Sequence, residues 1–534
     1  MSRKLSLDEI QKAINNLSLS QVLNLLDEYS KNTHTDVSRI KRTIIVNDIQ
    51  DHLILNKINT TCPHCGSKII VKNGKKNGIM MFKCRDCNKN FTLFTNTILE
   101  KTRYSWDVWV DMMWMTLNEC SLTFIQNYLI DTYNLQGLNY KTVFMWRHKI
   151  IHAIAEIPMP KLSGVIQVDE TYFRETQKGS HHLESTLKEY QRFPRRSKKH
   201  SIYGVMGNEF ANVVTAVDNN GHAVAKVVGL GKLSISRFVD LFDDYISSAS
   251  YLCTDKNNVY PKYADFRNIP LYIKVSTGEK SLKKVGYKDL DKVKSFEIPK
   301  QAKLNGELIQ KLYKKQELDY LYNEPGMPYI DFMKFKSEKG LGLDKVNNFH
   351  SMLKGNLFSK KRNVSTKYLP DYIGFETFRY NWKHDHNVGK EFSKSHARDI
   401  MIEVLKTRTK YTKNDLDSTK MNFPRATGKY MSLLKKKQAA IRIATNNKYF
   451  KFNPEDNVVS FNKLTFLEEL KDYQREKLRK KYKISAQWGK SAVCKALSKQ
   501  PTIEEDIWYL INLKRGNNPP EHVIKDLKKL WGIK

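Results

Sequence analysis

The chain has 534 residues, 40% of them hydrophobic, and carries 91 Lys and Arg against 56 Asp and Glu, a formal net charge of +35. That apolar share excludes a wholly disordered chain, and the length allows several domains with separate cores. So large a cationic excess costs self-repulsion unless a polyanion such as DNA or RNA compensates it.

No window approaches 18 consecutive apolar residues, and the N-terminal stretch lacks the apolar segment of a signal peptide. No amphipathic anchor accompanies the basic charge. A cytoplasmic protein with no membrane partner is expected.

Residues 1–55 predict a helical leader, with Leu17, Val22, Leu23, Leu25 and Leu26 at helical spacing. Residues 56–98 predict a zinc ribbon. Cys62-Pro-His-Cys65 and Cys84-Arg-Asp-Cys87 are two C-x2-C pairs with eighteen residues between them. Each pair presents two thiolates from a tight turn, and four thiolates complete a tetrahedral Zn2+ site. Gly66, Phe82 and Phe91 suit such a ribbon, Lys68, Lys72, Lys75 and Lys76 are expected on its loops, and His64 reads as a bystander. The charge favours DNA as what the ribbon grips, with protein contacts as the alternative. Cys120, Cys253 and Cys494 are scattered and read as small hydrophobes.

Residues 99–160 predict a helical DNA-binding segment of helix-turn-helix type. Ser121 and Asn139 are N-cap candidates, and the second helix presents Lys141, Thr142, Arg147 and Lys149. A plain helical hairpin is the alternative, because the connection is longer than the usual turn.

Residues 161–384 predict an α/β catalytic domain with an insertion at about 277–342. Six β-like runs occur: VIQVDETYF, SIYGVMG, ANVVTAVD, HAVAKVVG, SYLCTD and LYIKVS. A helical segment, ISRFVDLFDDYISSA, precedes the fifth, and NEF and DNNG are turn signals. Asp169 and Asp255 each sit at the end of an apolar strand, 86 residues apart. Burying a bare carboxylate is expensive, so each calls for a cation or a donor. Two strand-end carboxylates suit two-metal phosphoryl transfer with Mg2+ or Mn2+, although a cap or an ion pair would also account for either one. Strand alternation turns Glu170 away from the face of Asp169.

A helix over Val346–Phe358 sets Asn347, Ser351 and Lys354 at i, i+4 and i+7, on one face. An amide oxygen there can complete a metal site, and an ammonium can hold a phosphate. A second helix is expected near Asp371–Lys383. Residues 385–534 hold 33 Lys and Arg against 17 Asp and Glu and predict a basic, mostly helical extension.

The motifs CPHCGS…FKCRDCNKNF, TNTIL…W, VDETYF with its basic stretch to RRSKKH, TDKNNVY and NNFHSMLKG…YLPDYIGFETFRYNW occur in that order. With them the chain resembles a bacterial insertion-sequence transposase of the ISXO-like group, from about Cys62 to Asp385. The resemblance implies a ribonuclease-H-like mixed-sheet core of the DDE/DDNK type. Such an enzyme cleaves transposon ends and joins their 3′-hydroxyls to target DNA. On that resemblance Asp169 and Asp255 are the first two catalytic residues. Asn347 takes the third place, often Glu in related transposases, and Lys354 the basic place seven residues on. An amide carries no formal charge, which weakens the hold on a metal, and His350 is the nearest other ligand.

The family core has five strands against six β-like runs here, so one run is an added edge. Candidate DNA contacts are Lys141, Arg147, Lys149, Arg195, Arg196, Lys198 and Lys199. Terminal inverted repeats and target DNA are the implied partners, in the bacterial nucleoid, with at least a dimer bound to DNA. Two other classes stay open: a catalytically inactive, domesticated DNA-binding protein, and a ribonuclease-H-like nuclease selective for branched DNA or RNA.

Overall fold

The computed structural model describes residues 17–178, 209–284, 298–435, 450–453 and 458–461, apart from positions 59, 77–78, 277, 323–325, 422 and 424–425. These residues fall into two compact units, the first within 1–233, 244–257 and 270–424, the second within 234–243, 258–269 and 425–534.

The first unit begins with helices α1 (Leu19–Thr33) and α2 (Ser38–Leu55). Ser18 and Gln21 form a capping box at the start of α1, and α2 buries Ile45, Val46, Ile49 and Leu53. An antiparallel sheet follows, in the order β1 (Ile70–Lys76), β2 (Ile79–Cys84), β3 (Asn90–Thr92). Gln50 of α2 accepts a hydrogen bond from the Met80 amide at 2.7 Å.

Helices α3 (Trp106–Leu117), α4 (Leu122–Tyr133) and α5 (Tyr140–Ala155) come next. The first is apolar nearly all round and is buried accordingly. Ser121 and Asn139 cap the other two, accepting from the amides of Phe124 and Lys141.

The central sheet is mixed, in the order β6-β5-β4-β7-β8-β9. Its strands are β4 (Gly164–Arg174), β5 (Phe210–Asp218), β6 (Ala223–Leu230), β7 (Ala249–Thr254), β8 (Leu271–Ile273) and β9 (Tyr320–Leu321). β5 is antiparallel to both β4 and β6, β7 and β8 run parallel to β4, and β9 is antiparallel to β8. Helix α6 (Ile235–Ile246) joins β6 to β7, and α7 (Val259–Arg267) joins β7 to β8. Then come α8 (Gly278–Lys284), α9 (Ile298–Lys314), α10 (Tyr329–Lys339), α11 (Asp344–Lys354), a π-helical turn (Gly355–Lys360) and α12 (Leu369–Asp385). Helix α11 packs on β4 and β5, and α12 on β6 and α5. Where α12 meets α5, a Cβ on Gly374 would fall 2.8 Å from the Ala155 Cβ, so the close approach requires glycine.

Two expectations change. Of the six β-like runs, SIYGVMG lies outside the described residues, and among the described residues the central sheet also has a strand that was not expected, Tyr320–Leu321, within the segment read as a helical insertion. Helix α9 stops at Lys314, Gln316 takes a left-handed φ of 54°, and Tyr320 and Leu321 then pair with Ile273 and Tyr272.

The basic extension also starts inside the first unit. Asn118 exchanges two hydrogen bonds with the Phe392 backbone, and Lys394 pairs with the buried Asp111 at 2.7 Å. These contacts hold α13 (Lys394–Lys406) against α3; α14 (Lys413–Ser418) follows.

The second unit contains most of α6, all of α7 and the later residues. Phe238, Phe242, Tyr260 and Tyr263 pack as an aromatic cluster. Asp243 accepts from the Tyr263 hydroxyl at 3.0 Å and from the Arg267 guanidinium. Strands β10 (Phe450–Asn453) and β11 (Val458–Phe461) form an antiparallel hairpin within the basic extension. No helix among the described residues is long and apolar enough to cross a membrane.

Candidate active site and metal centre

The four ribbon cysteines meet at one point. Gly66 (φ +78°) and Asn88 (φ 57°) follow the second Cys of each pair, and their left-handed backbone folds both C-x2-C segments into tight turns. The Cys62 amide donates to Ser67 O at 2.7 Å, Gly66 N to Cys62 O at 2.9 Å, and Cys84 N to Lys89 O at 3.0 Å. The Sγ atoms of Cys62 and Cys87 lie 3.6 Å apart, as do those of Cys65 and Cys84. All four thiols fall within 4.8 Å of one another.

A Zn–S bond of about 2.3 Å sets tetrahedral sulfur–sulfur edges of about 3.8 Å, whereas a disulfide would bring two sulfurs to about 2.05 Å. The spacing therefore fits zinc. Amide N–H groups of Cys87 and Asp86 pull the Cys84 thiol down to about 7, toward the thiolate a metal binds. Phe91 is buried beside Cys62 and Cys84, with Phe82 stacked on it, while His64 is exposed. Lys72, Lys75 and Lys76 are exposed on β1 itself rather than in loops, and Lys68 is exposed just before it.

The acidic site lies at the end of the parallel pair β4–β7. The last paired rung is Gln167–Cys253, so two residues further on Asp169 and Asp255 come level. Burial and the neighbouring Asp255 push the Asp169 carboxyl up to about 6, and burial also raises Asp255. Asp255 accepts from the Asn257 amide at 3.0 Å.

A third carboxylate joins them, contrary to the alternation argument. Asp169, Glu170 and Asp255 each bring an oxygen within 4.8 Å of the others, and Glu170 accepts from Asn257 Nδ2 at 2.7 Å. β7 ends at Thr254, leaving the edge of β4 open beyond Gln167, and the longer glutamate side chain reaches the residues that follow β7. The raised Asp169 reflects burial first and then repulsion by Asp255, while the Glu170 amide lowers it. This donor set fits Mg2+ or Mn2+.

Helix α11 forms the opposite wall. Asn347, His350, Ser351 and Lys354 line a cleft of about 370 Å3 together with Asp169, Glu170, Thr171 and Tyr172. Asn347, Ser351 and Lys354 are exposed along one face, as their spacing predicts. His350 is buried, with Nδ1 3.8 Å from Asp169 Oδ2 and Nε2 lacking a hydrogen-bond partner among the described residues. Burial, with Lys354 nearby, holds its imidazole down to about 4, so the ring is neutral at pH 7.

Sequence reasoning missed what anchors this helix. The buried Gln167, two residues before Asp169, accepts from the first-turn amides of Lys345 (2.8 Å) and Val346 (3.1 Å) and donates to Asp344 (3.2 Å). Its only sequence signal is a polar side chain in the apolar run VIQV.

Of the candidate DNA contacts, Lys141 is exposed near the start of α5 and Lys149 is half-buried. Arg147 turns inward, its guanidinium donating to the Cys120 carbonyl. Arg195, Arg196, Lys198 and Lys199 lie outside the described residues.

No family model matches the chain. Over 120 residues it is 25% identical to an uncharacterized protein in transposable element ISH50 of Halobacterium salinarum. That stretch covers 22% of this chain and 38% of the relative, so the match spans well under half of the relative's length. In part of its length, then, the chain is similar to a protein of a transposable element.

Proposed function

We propose that the chain is a transposase that cleaves transposon ends and joins the freed 3′-hydroxyls to target DNA. The observation that carries this reading is the pair Asp169 and Asp255, level just beyond the last paired rung of β4 and β7, with Asp169, which lies within β4 rather than at its end, lining a cleft opposite a helix that presents Lys354. On this reading the central sheet is ribonuclease-H-like: three antiparallel strands followed by two parallel ones support it, with β9 as the added edge. The similarity to a transposable-element protein points the same way.

Asp169 and Asp255 would hold the catalytic Mg2+ or Mn2+, with Glu170 adding a third negative charge. Divalent ions held there would activate the attacking oxygen and stabilise the leaving one. Lys354 contacts a phosphate beside the cut as a point charge. Asn347 and Ser351 set neutral hydrogen-bonding groups along the same wall, and His350, neutral and buried, backs Asp169. The ribbon, the exposed start of α5 and the basic extension bind the terminal repeats. Pairing two ends in one assembly calls for at least a dimer on DNA, within the nucleoid.

The test compares Asp169→Asn and Asp255→Asn with the unaltered protein on duplexes bearing the element's ends, with Mg2+ or Mn2+. Both substitutions should cut nicking and strand transfer by at least about 1000-fold while end binding persists. Full activity in either variant overturns the assignment. Tight binding without cleavage by the unaltered protein would favour the inactive DNA-binding class, and structure-selective cutting without joining would favour the nuclease class.

A further inference from the structure

A second cluster of ligand-type side chains lies away from the acidic cleft and the ribbon. The β5–β6 turn, Asp218-Asn-Asn-Gly-His222, meets the C-terminal end of α12, where His384 and Asp385 stand. His222 Nε2 is 2.7 Å from Asp385 Oδ1, and His384 Nδ1 is 3.4 Å from the same oxygen. One ligand atom from each of the three residues lies within 4.8 Å of the others.

Both supports are fixed by backbone hydrogen bonds. Asn381, one turn before His384, accepts from the Ala223 amide at 2.8 Å and donates to the Ala223 carbonyl at 2.9 Å. The turn is closed by Asp218 N donating to His222 O at 3.0 Å and by Gly221 N donating to Asp218 O at 3.2 Å. Gly221 has a φ of +87°, and the His384 ring lies where its side chain would be: a Cβ there would fall 2.7 Å from His384 Nε2. Glycine is thus what admits the imidazole.

We infer that His222, His384 and Asp385 form a second transition-metal site, selective for Zn2+ or a similar borderline divalent ion. Two imidazoles and one carboxylate are a zinc-type donor set with a fourth position left open. Metal bonds of about 2.0–2.2 Å place tetrahedral ligand atoms about 3.4 Å apart. The His384–Asp385 distance already matches, and the His222–Asp385 pair has to open by about 0.7 Å from its hydrogen-bonded separation.

Behind the first ligand stands the orienting group such sites use. The carboxylate of Asp218 is buried, holds the His222 amide at 3.0 Å, and lies 3.9 Å from His222 Nδ1. With Nε2 on the metal, Nδ1–H faces that carboxylate, the outer interaction that fixes ring orientation in metal-bound histidines. Bound metal would cross-link the β5–β6 hairpin to the end of α12, leaving the exposed His384 and Asp385 side of the ion open to solvent or to another ligand.

The experiment measures zinc in the full chain after exhaustive dialysis, by elemental analysis, for the unaltered protein and for His384→Ala and Asp385→Asn. The unaltered protein should retain about two zinc ions per chain and each variant about one. Replacing Cys62 and Cys65 by Ser should also leave about one, and combining both changes none. Cobalt substitution separates the sites, since only the ribbon gives thiolate-to-metal charge-transfer absorption. His384 and Asp385 are about half exposed, so these variants should fold, which their melting temperature without added zinc checks. About one zinc per chain in the unaltered protein, unchanged by His384→Ala, would overturn the inference and leave His222 and Asp385 as a simple hydrogen-bonded pair. An Asp169→Asn variant should keep both zinc ions, which separates this site from the acidic cleft.

Discussion

Replacing Asp169 by Asn should stabilise the metal-free protein at neutral pH while removing its activity. Asp169 is mostly buried, its side chain about one-fifth exposed, and Asp255 stands beside it. A carboxyl raised from 3.8 to about 6 carries a penalty of about 3 kcal/mol on its charged form. Partial exposure screens this, so about 1–2 kcal/mol is expected. The sign follows from linkage. Below pH 3.8 the group is protonated in both the folded and unfolded chain and costs nothing. As pH rises from 3.8 through about 6, the unfolded chain ionises first and the fold loses stability, with the full penalty present above 6. Asn keeps the shape without the charge. For a domain of this size, 1–2 kcal/mol corresponds to a rise in melting temperature of about 2–8 °C. Melting curves of both proteins at pH 5 and pH 7.5 in chelator, followed by the transition of the unit that holds the central sheet, provide the assay. The gap between them should widen at the higher pH and shrink when Mg2+ is added, because the cation offsets the repulsion in the unaltered site only. A variant less stable at both pH values, or a gap that ignores pH and Mg2+, would refute the reasoning.

Two further predictions concern the frame around the site. Glu376 is fully buried and accepts from Lys361 (2.6 Å), Arg379 (2.7 Å) and Asn356 (2.8 Å), so Glu376→Ala leaves both cations to the single carboxylate of Glu119 and should cost about 3 kcal/mol in thermal or urea unfolding. In the same network Glu119, although burial opposes its charge, is held at about 2 by Arg379 and Lys361, so its contribution should be intact above pH 4.5 and disappear as pH falls toward 2. In the ribbon, stripping zinc or replacing Cys84 by Ser should unfold residues 62–92 selectively, seen as faster amide exchange there, and should weaken end binding. Changing Lys72, Lys75 and Lys76 to Gln should leave the zinc in place and make the salt dependence of binding shallower, by about 0.9 for each phosphate these lysines neutralise; an unchanged slope would separate the ribbon from DNA.

Features set by local spacing were legible in the sequence. The paired cysteines depend on a few residues around each turn, the caps at Ser121 and Asn139 on one side chain each, and the face of α11 on helical period alone. What sequence reasoning missed depends on where strands stop and which segments they meet. β9 is two residues long and exists only because β8 presents an edge, so no periodicity could announce it. Phe392 and Lys394 belong to the first unit because Asn118 and Asp111 hold them, across more than 270 residues of chain.

Glu170 shows the limit most clearly. Alternation fixes the direction of its Cβ, but it does not fix where two methylenes carry the carboxylate once the neighbouring strand has ended. With Glu170 included, the acidic cluster holds three carboxylates rather than two, which changes the weight the proposed reading puts on Asn347. An amide in the third place is a weak ligand only if the site otherwise lacks charge. On the proposed reading an adjacent glutamate would supply that charge from the strand, so the helix could present a neutral residue without leaving a bound cation short of negative partners.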